Sequence, residues 1–284
     1  MQKQDELPMD KIAVIQIDSE LGNTPATLAK IDARISEIQD PSVRMAVFCE
    51  YGTGGYCTDQ FKIAKPVPGE VTSQLESIAR KHNIWISGGT SELAQGMIAN
   101  TSVMISPSKG LVASYRKIHP FGDERNRLLM GGEPVVVETE LGKVGMTICF
   151  DFMFPELTRV LALRGAEIIL NSTFWFADNF SEKFGFEPMT ILALARTRAV
   201  ENSVYVAMAC RTGEEDAPWG GKVRGMGHSS IVAPSGKPLA QAGIGEMTIT
   251  GEIDHEFRDF WVSQTNYLAS RRPEIYQEIC KFNT

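Results

Sequence analysis

Short apolar runs rich in Val and Ile alternate along this chain with stretches of helical period, and that alternation confines it to the α/β class. Ile12 to Ile17 reads as the first strand. After Asn23 and Thr24, Leu28, Ile31, Ile35 and Ile38 recur at threes and fours, as one buried face of a capped helix requires. Met45 to Phe48 returns as a strand that delivers Glu50 to its end. A second unit follows, with a helix through Leu75, Ile78 and Ala79 and a strand from Ile84 to Ser87 leading into Gly88 and Gly89. Between Asn100 and Tyr115 two strands, Val103 to Ile105 and Leu111 to Ser114, flank the turn residues Pro107, Ser108, Lys109 and Gly110, which predicts a hairpin and therefore a mixed sheet. Val135 to Val137 and Val144 to Ile148 read as strands and Pro155 to Arg164 as a helix with Pro in its first turn. The pattern continues through Ile168 to Asn171, Met189 to Val200 and Val204 to Ala209. Two last strands, near Ser229 to Val232 and Met247 to Ile253, are predicted to be joined through Pro234, Ser235 and Gly236.

A length of 284 residues with no repeat, low-complexity tract or linker predicts a single domain over residues 1–284. With 43% hydrophobic and 22% charged residues the chain can bury a substantial core. Its net charge of −7 and the lack of a long basic run argue against a nucleic-acid partner. No segment approaches the ~18 uninterrupted apolar residues of a membrane span, so no membrane association is expected. Five scattered cysteines, Cys49, Cys57, Cys149, Cys210 and Cys280, make a poor disulfide framework and point to a reducing compartment. The start of the chain has acids and no apolar stretch, so the expected location is the cytoplasm.

Cys149 is the residue that most invites a chemical role. It ends the run Val144-Gly145-Met146-Thr147-Ile148 and precedes a helix opening near Pro155, and unpaired backbone N–H groups at such a junction favour a thiolate or an oxyanion. A lone intracellular Cys is more often a small buried apolar residue. A nucleophilic thiol needs a base, and Glu50, at the end of an apolar strand, is placed to reach the same sheet edge. Lys117, in Tyr115-Arg116-Lys117-Ile118-His119-Pro120, likewise follows a strand. Each of these two, taken singly, is more often a solvated charge.

Three segments together are more specific. Val47-Phe48-Cys49-Glu50 with Gly55-Tyr56, then Tyr115-Arg116-Lys117-Ile118-His119, then Gly145-Met146-Thr147-Ile148-Cys149-Phe150-Asp151 with Phe154-Pro155-Glu156-Leu157, resembles the nitrilase superfamily of carbon–nitrogen hydrolases in its motifs and their order. The likeness continues in Ala195 to Asn202, in Gly227-His228-Ser229-Ser230 with Pro234-Ser235-Gly236, and in Arg271-Arg272-Pro273-Glu274-Ile275-Tyr276, so it spans nearly the whole chain. The resemblance implies a four-layer α-β-β-α sandwich of two mixed sheets between helices. It implies Glu50 as general base, Lys117 as electrostatic stabiliser and Cys149 as nucleophile, and a homodimer or higher homo-oligomer through helices flanking the sandwich, including the region after Pro155 and the helix ending near Asn202. A second carboxylate is expected in the loop after the lysine, with Glu124 the best match and Asp123 and Glu133 as other occupants. Phe150 contributes a backbone N–H to the oxyanion in this reading. Phe150 and Trp175 are the expected substrate-binding aromatics, and Phe121, Phe154, Phe176 and Trp219 lie in segments near the same pocket.

One departure from the family is Cys49, which stands where proline commonly precedes the glutamate. Alternation along a strand turns Cys49 away from Glu50, so it need not compete as a nucleophile. The implied reaction is hydrolysis of a small linear amide through a Cys149 thioester. N-carbamoyl or nitrile hydrolysis by the same three residues is the nearest alternative, and a catalytically silent binding scaffold the more distant one. Phe150-Asp151-Phe152 after the nucleophile resembles amidase-type members more than nitrilases. A Cys149–His119 dyad is a competing enzyme reading. Gly227-His228-Ser229-Ser230-Ile231 lacks the closing glycine of a serine elbow. The four histidines, His82, His119, His228 and His255, form no ligand spacing with the cysteines, and Gly54-Gly55 and Gly131-Gly132 form no phosphate loop, so neither metal nor other cofactor is expected.

Overall fold

The computed structural model describes residues 9–56, 59–177, 181, 183, 185–217 and 220–281. Strand β1 (Lys11–Gln16) leads into helix α1 (Thr24–Ser36), whose first turn is fixed by the Asn23 side chain accepting the Ala26 N–H at 3.2 Å and by Pro25. Strand β2 (Val43–Phe48) follows, then α2 (Glu70–His82), closed by Asn83 in the left-handed region after a basic last turn. Strands β3 (Trp85–Ala94), β4 (Met97–Ser106) and β5 (Gly110–Arg116) are successive antiparallel neighbours. With β15 (Met247–Glu252) at the far edge, these strands make a six-stranded sheet in the order β15-β1-β2-β3-β4-β5, with β1, β2 and β3 parallel.

The second half repeats the plan. The short helix α3 (Glu124–Arg127) precedes β6 (Val136–Thr139) and β7 (Gly142–Ile148), a 3-10 turn over Cys149–Met153, and α4 (Pro155–Leu163). Strand β8 (Ile168–Thr173), the two-residue β9 (Phe176–Ala177), α5 (Pro188–Asn202) and β10 (Tyr205–Cys210) come next. Strands β11 (Glu214–Asp216) and β12 (Lys222–Gly225) join β9 in a small sheet, while β13 (Ser230–Val232) and β14 (Pro238–Gln241) complete a second six-stranded sheet in the order β14-β13-β10-β8-β7-β6. Helix α6 (His255–Thr265) starts on Asp254, whose carboxylate accepts the Phe257 N–H at 2.8 Å.

Period-two burial assigns the layers. Ile12, Val14, Met45 and Val47 face the second sheet, whereas Ala13, Ile15, Ala46 and Phe48 pack under Leu28, Ile31 and Ile35 of α1 and Val71, Leu75 and Ala79 of α2. On the other side α4 packs on β7, and α5 on β10 and β13. Both faces of each central strand are therefore covered, which is why these strands read as continuous apolar runs. The result is the expected α-β-β-α sandwich with two mixed sheets. Among the described residues no helix is long and apolar enough to cross a membrane.

The structure differs from the expected connectivity in three places. Gly88 and Gly89 do not end their strand but lie inside β3, because a Cβ on Gly88 would meet the Phe48 ring at 2.3 Å and one on Gly89 would meet the backbone of Tyr51 at 2.6 Å. The turn Pro234 to Gly236 joins β13 not to Met247 but to β14, a half-exposed edge strand with no Val or Ile to mark it. The Met247 strand crosses to the other sheet beside β1. The third is a second hairpin, between β3 and β4, turned by Gln95 and Gly96 in the left-handed region.

Candidate active site

The central parallel strands end at one edge of the sandwich. Glu50 lies two residues past β2, Cys149 directly past β7, Phe174 and Trp175 directly past β8, and Lys117 directly past β5, whose neighbour β4 supplies Asn100. Ligands in open α/β sheets gather at such carboxyl ends, where side chains leave the ladder and the next segment has not yet covered them.

Glu50 and Lys117 are each 3% exposed and Glu124 4%, so their charges are compensated by one another rather than by solvent. The Lys117 ammonium donates to Glu50 Oε1 at 2.8 Å and to Glu124 Oε2 at 3.0 Å. Burial alone would lower its pKa, yet Glu124 and Glu50 outweigh that effect and hold Lys117 charged well above its ordinary range. Glu50 Oε1 also accepts from Asn100 Nδ2 at 2.7 Å, and its Oε2 accepts the Phe174 N–H at 2.9 Å. Glu124, at the start of α3, is fixed by the Phe121 N–H at 2.8 Å.

Cys149 is buried with φ +45°, in the left-handed region that a residue with a Cβ rarely occupies. Two neighbours of the turn hold it there. Asp151 Oδ2 accepts the Ile148 N–H at 2.9 Å and the Tyr115 hydroxyl at 2.6 Å, and Asp151 Oδ1 accepts the His119 N–H at 3.0 Å. From the helical side, Arg198 of α5 donates twice to the Phe152 carbonyl, at 3.0 and 2.8 Å. Burial and the Glu50 carboxylate push the Cys149 thiol well above its usual value, against the opposing pull of Lys117, Thr173 and the Phe174 backbone. The resting group is therefore a thiol.

Glu50, Lys117, Cys149, Glu124, Phe150 and Trp175 all line one cavity of about 340 Å³. Of the other loop acids, Asp123 and Glu133 are exposed, and Asp123 is paired with Arg127 at 2.8 Å. Phe121 and Phe176 also line the cavity, while Phe154 stacks instead on His119 with ring centroids 3.8 Å apart. Trp219 and Cys57 lie outside the described residues. His119 is engaged through Nδ1 with Asp151 at 2.8 Å and does not line the cavity, so the structure does not assemble the dyad with Cys149. Cys49 faces α1 and α2 on the opposite side of its sheet, its thiol pushed up to about 12 by burial. Sequence reasoning missed Asn100, Phe174 and Asp151 as partners of these groups. Asp151 alone had a usable signal, an acid set among aromatic residues two positions after Cys149.

A family model described as carbon–nitrogen hydrolase matches residues 11–261. An omega-amidase, NIT3, of Saccharomyces cerevisiae is 29% identical over 95% of this chain and 95% of its own length, and a nitrilase of Pyrococcus abyssi is 30% identical over 94% and 99%. The crystal structure of S. cerevisiae Nit3, a member of the nitrilase superfamily, superposes with a TM-score of 0.81 at 27% identity, covering 94% of this chain and 97% of that one. A carbon–nitrogen hydrolase from Helicobacter pylori shares the fold with a TM-score of 0.87 at 23% identity, over 98% and 100% of the two chains. Since the family model covers most of the chain and a relative 30% identical is matched over nearly its full length, this protein belongs to the carbon–nitrogen hydrolases of the nitrilase superfamily.

Proposed function

We propose that the protein hydrolyses small linear amides to carboxylic acid and ammonia through a thioester on Cys149. The observation that carries this reading is the Lys117 ammonium held between Glu50 and Glu124 in the cavity that also contains Cys149. An amide is a weak electrophile with a poor leaving group, so it demands an activated attacker, a stabilised oxyanion and a proton for the departing nitrogen.

Glu50 takes the Cys149 proton as sulfur bonds to the carbonyl carbon, and the C=O electron pair moves onto oxygen. That oxyanion faces Lys117 and the Phe150 N–H, a type of contact whose loss typically costs about 3 kcal/mol of barrier stabilisation. The oxyanion collapses as the proton passes from Glu50 to nitrogen, the C–N bond breaks, and ammonia leaves the thioester. Water then loses a proton to Glu50 and attacks the thioester carbon. The C–S bond breaks, and the proton returns to sulfur. Because the resting thiol is protonated, a base within reach is a requirement of the first step. Glu124 accepts a hydrogen bond from the amide N–H and so orients the substrate, while Phe150 and Trp175 border the acyl group.

Intact-mass analysis of protein mixed with amides, N-carbamoyl compounds and nitriles, read beside ammonia release, tests this. An acyl adduct on Cys149 with ammonia from amides is expected, and faster conversion of nitriles than of every amide would overturn the assignment.

The same reading includes a homodimer in the cytoplasm, formed by α4 and α5. These helices pack on each other and leave Val160, Leu163 and Met189 exposed, which supports a face that a second copy covers. Light scattering on the active protein should give at least twice the 31.3 kDa chain mass.

A further inference from the structure

The walls of the Cys149 cavity carry an uneven chemistry. Among the described residues that line it, those other than Glu50, Lys117, Glu124, Cys149, Met153 and Ser181 are all aromatic, and Lys117 is the sole cation. That cation already contacts two carboxylates. The rings form a connected shell: Phe121 meets Phe150 and Phe176 edge-on at 5.2 and 5.9 Å between centroids, Tyr51 lies 5.1 Å from Tyr56, and Trp175 lies 5.4 Å from Phe186.

Two other cations that touch residues of the wall, Arg211 and Arg127, do not themselves line the cavity. Arg211 is fully buried behind Phe174, with its guanidinium 4.6 Å from the ring centroid, and is ion-paired with Glu215. Arg127 meets Tyr56 but is held at 2.8 Å by Asp123. Lys183 is exposed and is not among the residues that line the cavity. Two further polar atoms of the lining residues, the Tyr51 hydroxyl and the Trp175 indole N–H, are buried without a protein partner and are neutral. Burial first, then Glu124 and Glu50, keeps the Tyr51 phenol protonated.

We infer that this site selects uncharged amides with an apolar acyl chain and rejects acyl chains that end in a carboxylate or an ammonium. The inference rests on the amide reading above and narrows it. An anionic tail would be desolvated with no free cation to receive it, beside two carboxylates already in the wall. A cationic tail would lose its hydration and find the two lining carboxylates each sharing an oxygen with Lys117, with Glu50 reserved for proton transfer and Glu124 for the amide N–H. An alkyl tail gains from the same surface, and the 340 Å³ volume is at the small end of the roughly 300–1,000 Å³ typical of ligand sites.

The test compares three amides of nearly equal length on the unmodified protein by ammonia release: hexanamide, glutaramate and 5-aminopentanamide. The kcat/KM for hexanamide is expected to exceed each charged analogue by at least a hundredfold. A second measurement uses Met153→Arg, which adds a cation at an exposed position of the lining, and should narrow the gap between hexanamide and glutaramate at least tenfold. A less than tenfold preference for hexanamide, or a faster charged substrate, with Cys149 acylated, would overturn the apolar class and leave the amide reading standing. No ammonia and no adduct from any of the three would overturn the amide reading and this inference with it.

Discussion

Asp151 and His119 are joined twice, through the His119 backbone N–H at 3.0 Å and ring Nδ1 at 2.8 Å, both to the same carboxylate oxygen. This contact ties the segment that carries Lys117 to the turn that carries Cys149, across 32 positions of sequence. The other oxygen accepts from Tyr115 and Ile148, so one fully buried carboxylate fixes both sides of the reacting space. Asp151→Ala should destabilise the fold by about 3 kcal/mol, because four hydrogen bonds, two of them fully buried, lose their Asp151 partner at once. Asp151→Asn should fold better, yet lower kcat at least tenfold with little change in KM. Urea unfolding and steady-state kinetics check both, and a wild-type kcat in Asp151→Asn would show that the tie does not position the reacting groups.

Glu50→Gln should move two rates in opposite directions. Amide turnover should fall by roughly 10²- to 10⁴-fold, the usual worth of a positioned base. Glu50 also raises the Cys149 thiol, so its neutralisation should lower that pKa and speed alkylation by iodoacetamide at pH 7.5. In the unmodified protein, with the thiol titrating well above its ordinary value, the alkylation rate should keep climbing about tenfold per pH unit through pH 9. A plateau near pH 7 would show that the resting group is already a thiolate.

Cys149→Ala should abolish turnover, whereas Cys49→Ala, Cys210→Ala and Cys280→Ala should retain it. Cys49 and Cys210 are fully buried, so their truncation should cost stability, while Cys280 is exposed and should cost nothing measurable. Ammonia release beside thermal melts separates the two effects.

Gly89→Ala tests how closely β3 must approach Glu50. The added Cβ would lie 2.6 Å from the Tyr51 nitrogen and 2.8 Å from Glu50 Cα, contacts that backbone can relieve only by moving. A loss of about 1–3 kcal/mol in stability is expected. Turnover should drop more than stability accounts for, because the displaced residue carries the carboxylate. A folded Gly89→Ala protein with unchanged kcat would mean that Glu50 tolerates the shift.

The alternation of Val- and Ile-rich runs with helical stripes is a local property, set by residues two to four positions apart, and it determined the α/β class and most elements within a residue or two of their observed ends. Strand ends, visible in one dimension, marked Glu50, Lys117 and Cys149 only as weak candidates, and the resemblance of the surrounding segments to the nitrilase superfamily singled them out. Pairing between distant segments was not visible in that way. Gly88 and Gly89 look like a break in sequence, and only the Phe48 ring and the Tyr51 backbone pressed against them show why the strand continues. Strand β14 and helix α6 escaped notice because neither buries a continuous apolar stripe. Among Asp123, Glu124 and Glu133, three acids of similar intrinsic chemistry, the resemblance favoured Glu124, and tertiary packing is what sets it apart, by removing it from water and setting Lys117 and the Phe121 N–H against it. Asp151 has the same lesson: apart from the local Ile148 N–H, its partners are Tyr115 of β5 and His119 just beyond it in the other half, so its full set of hydrogen bonds and its tie to the Lys117 segment exist only once the two halves of the sandwich close.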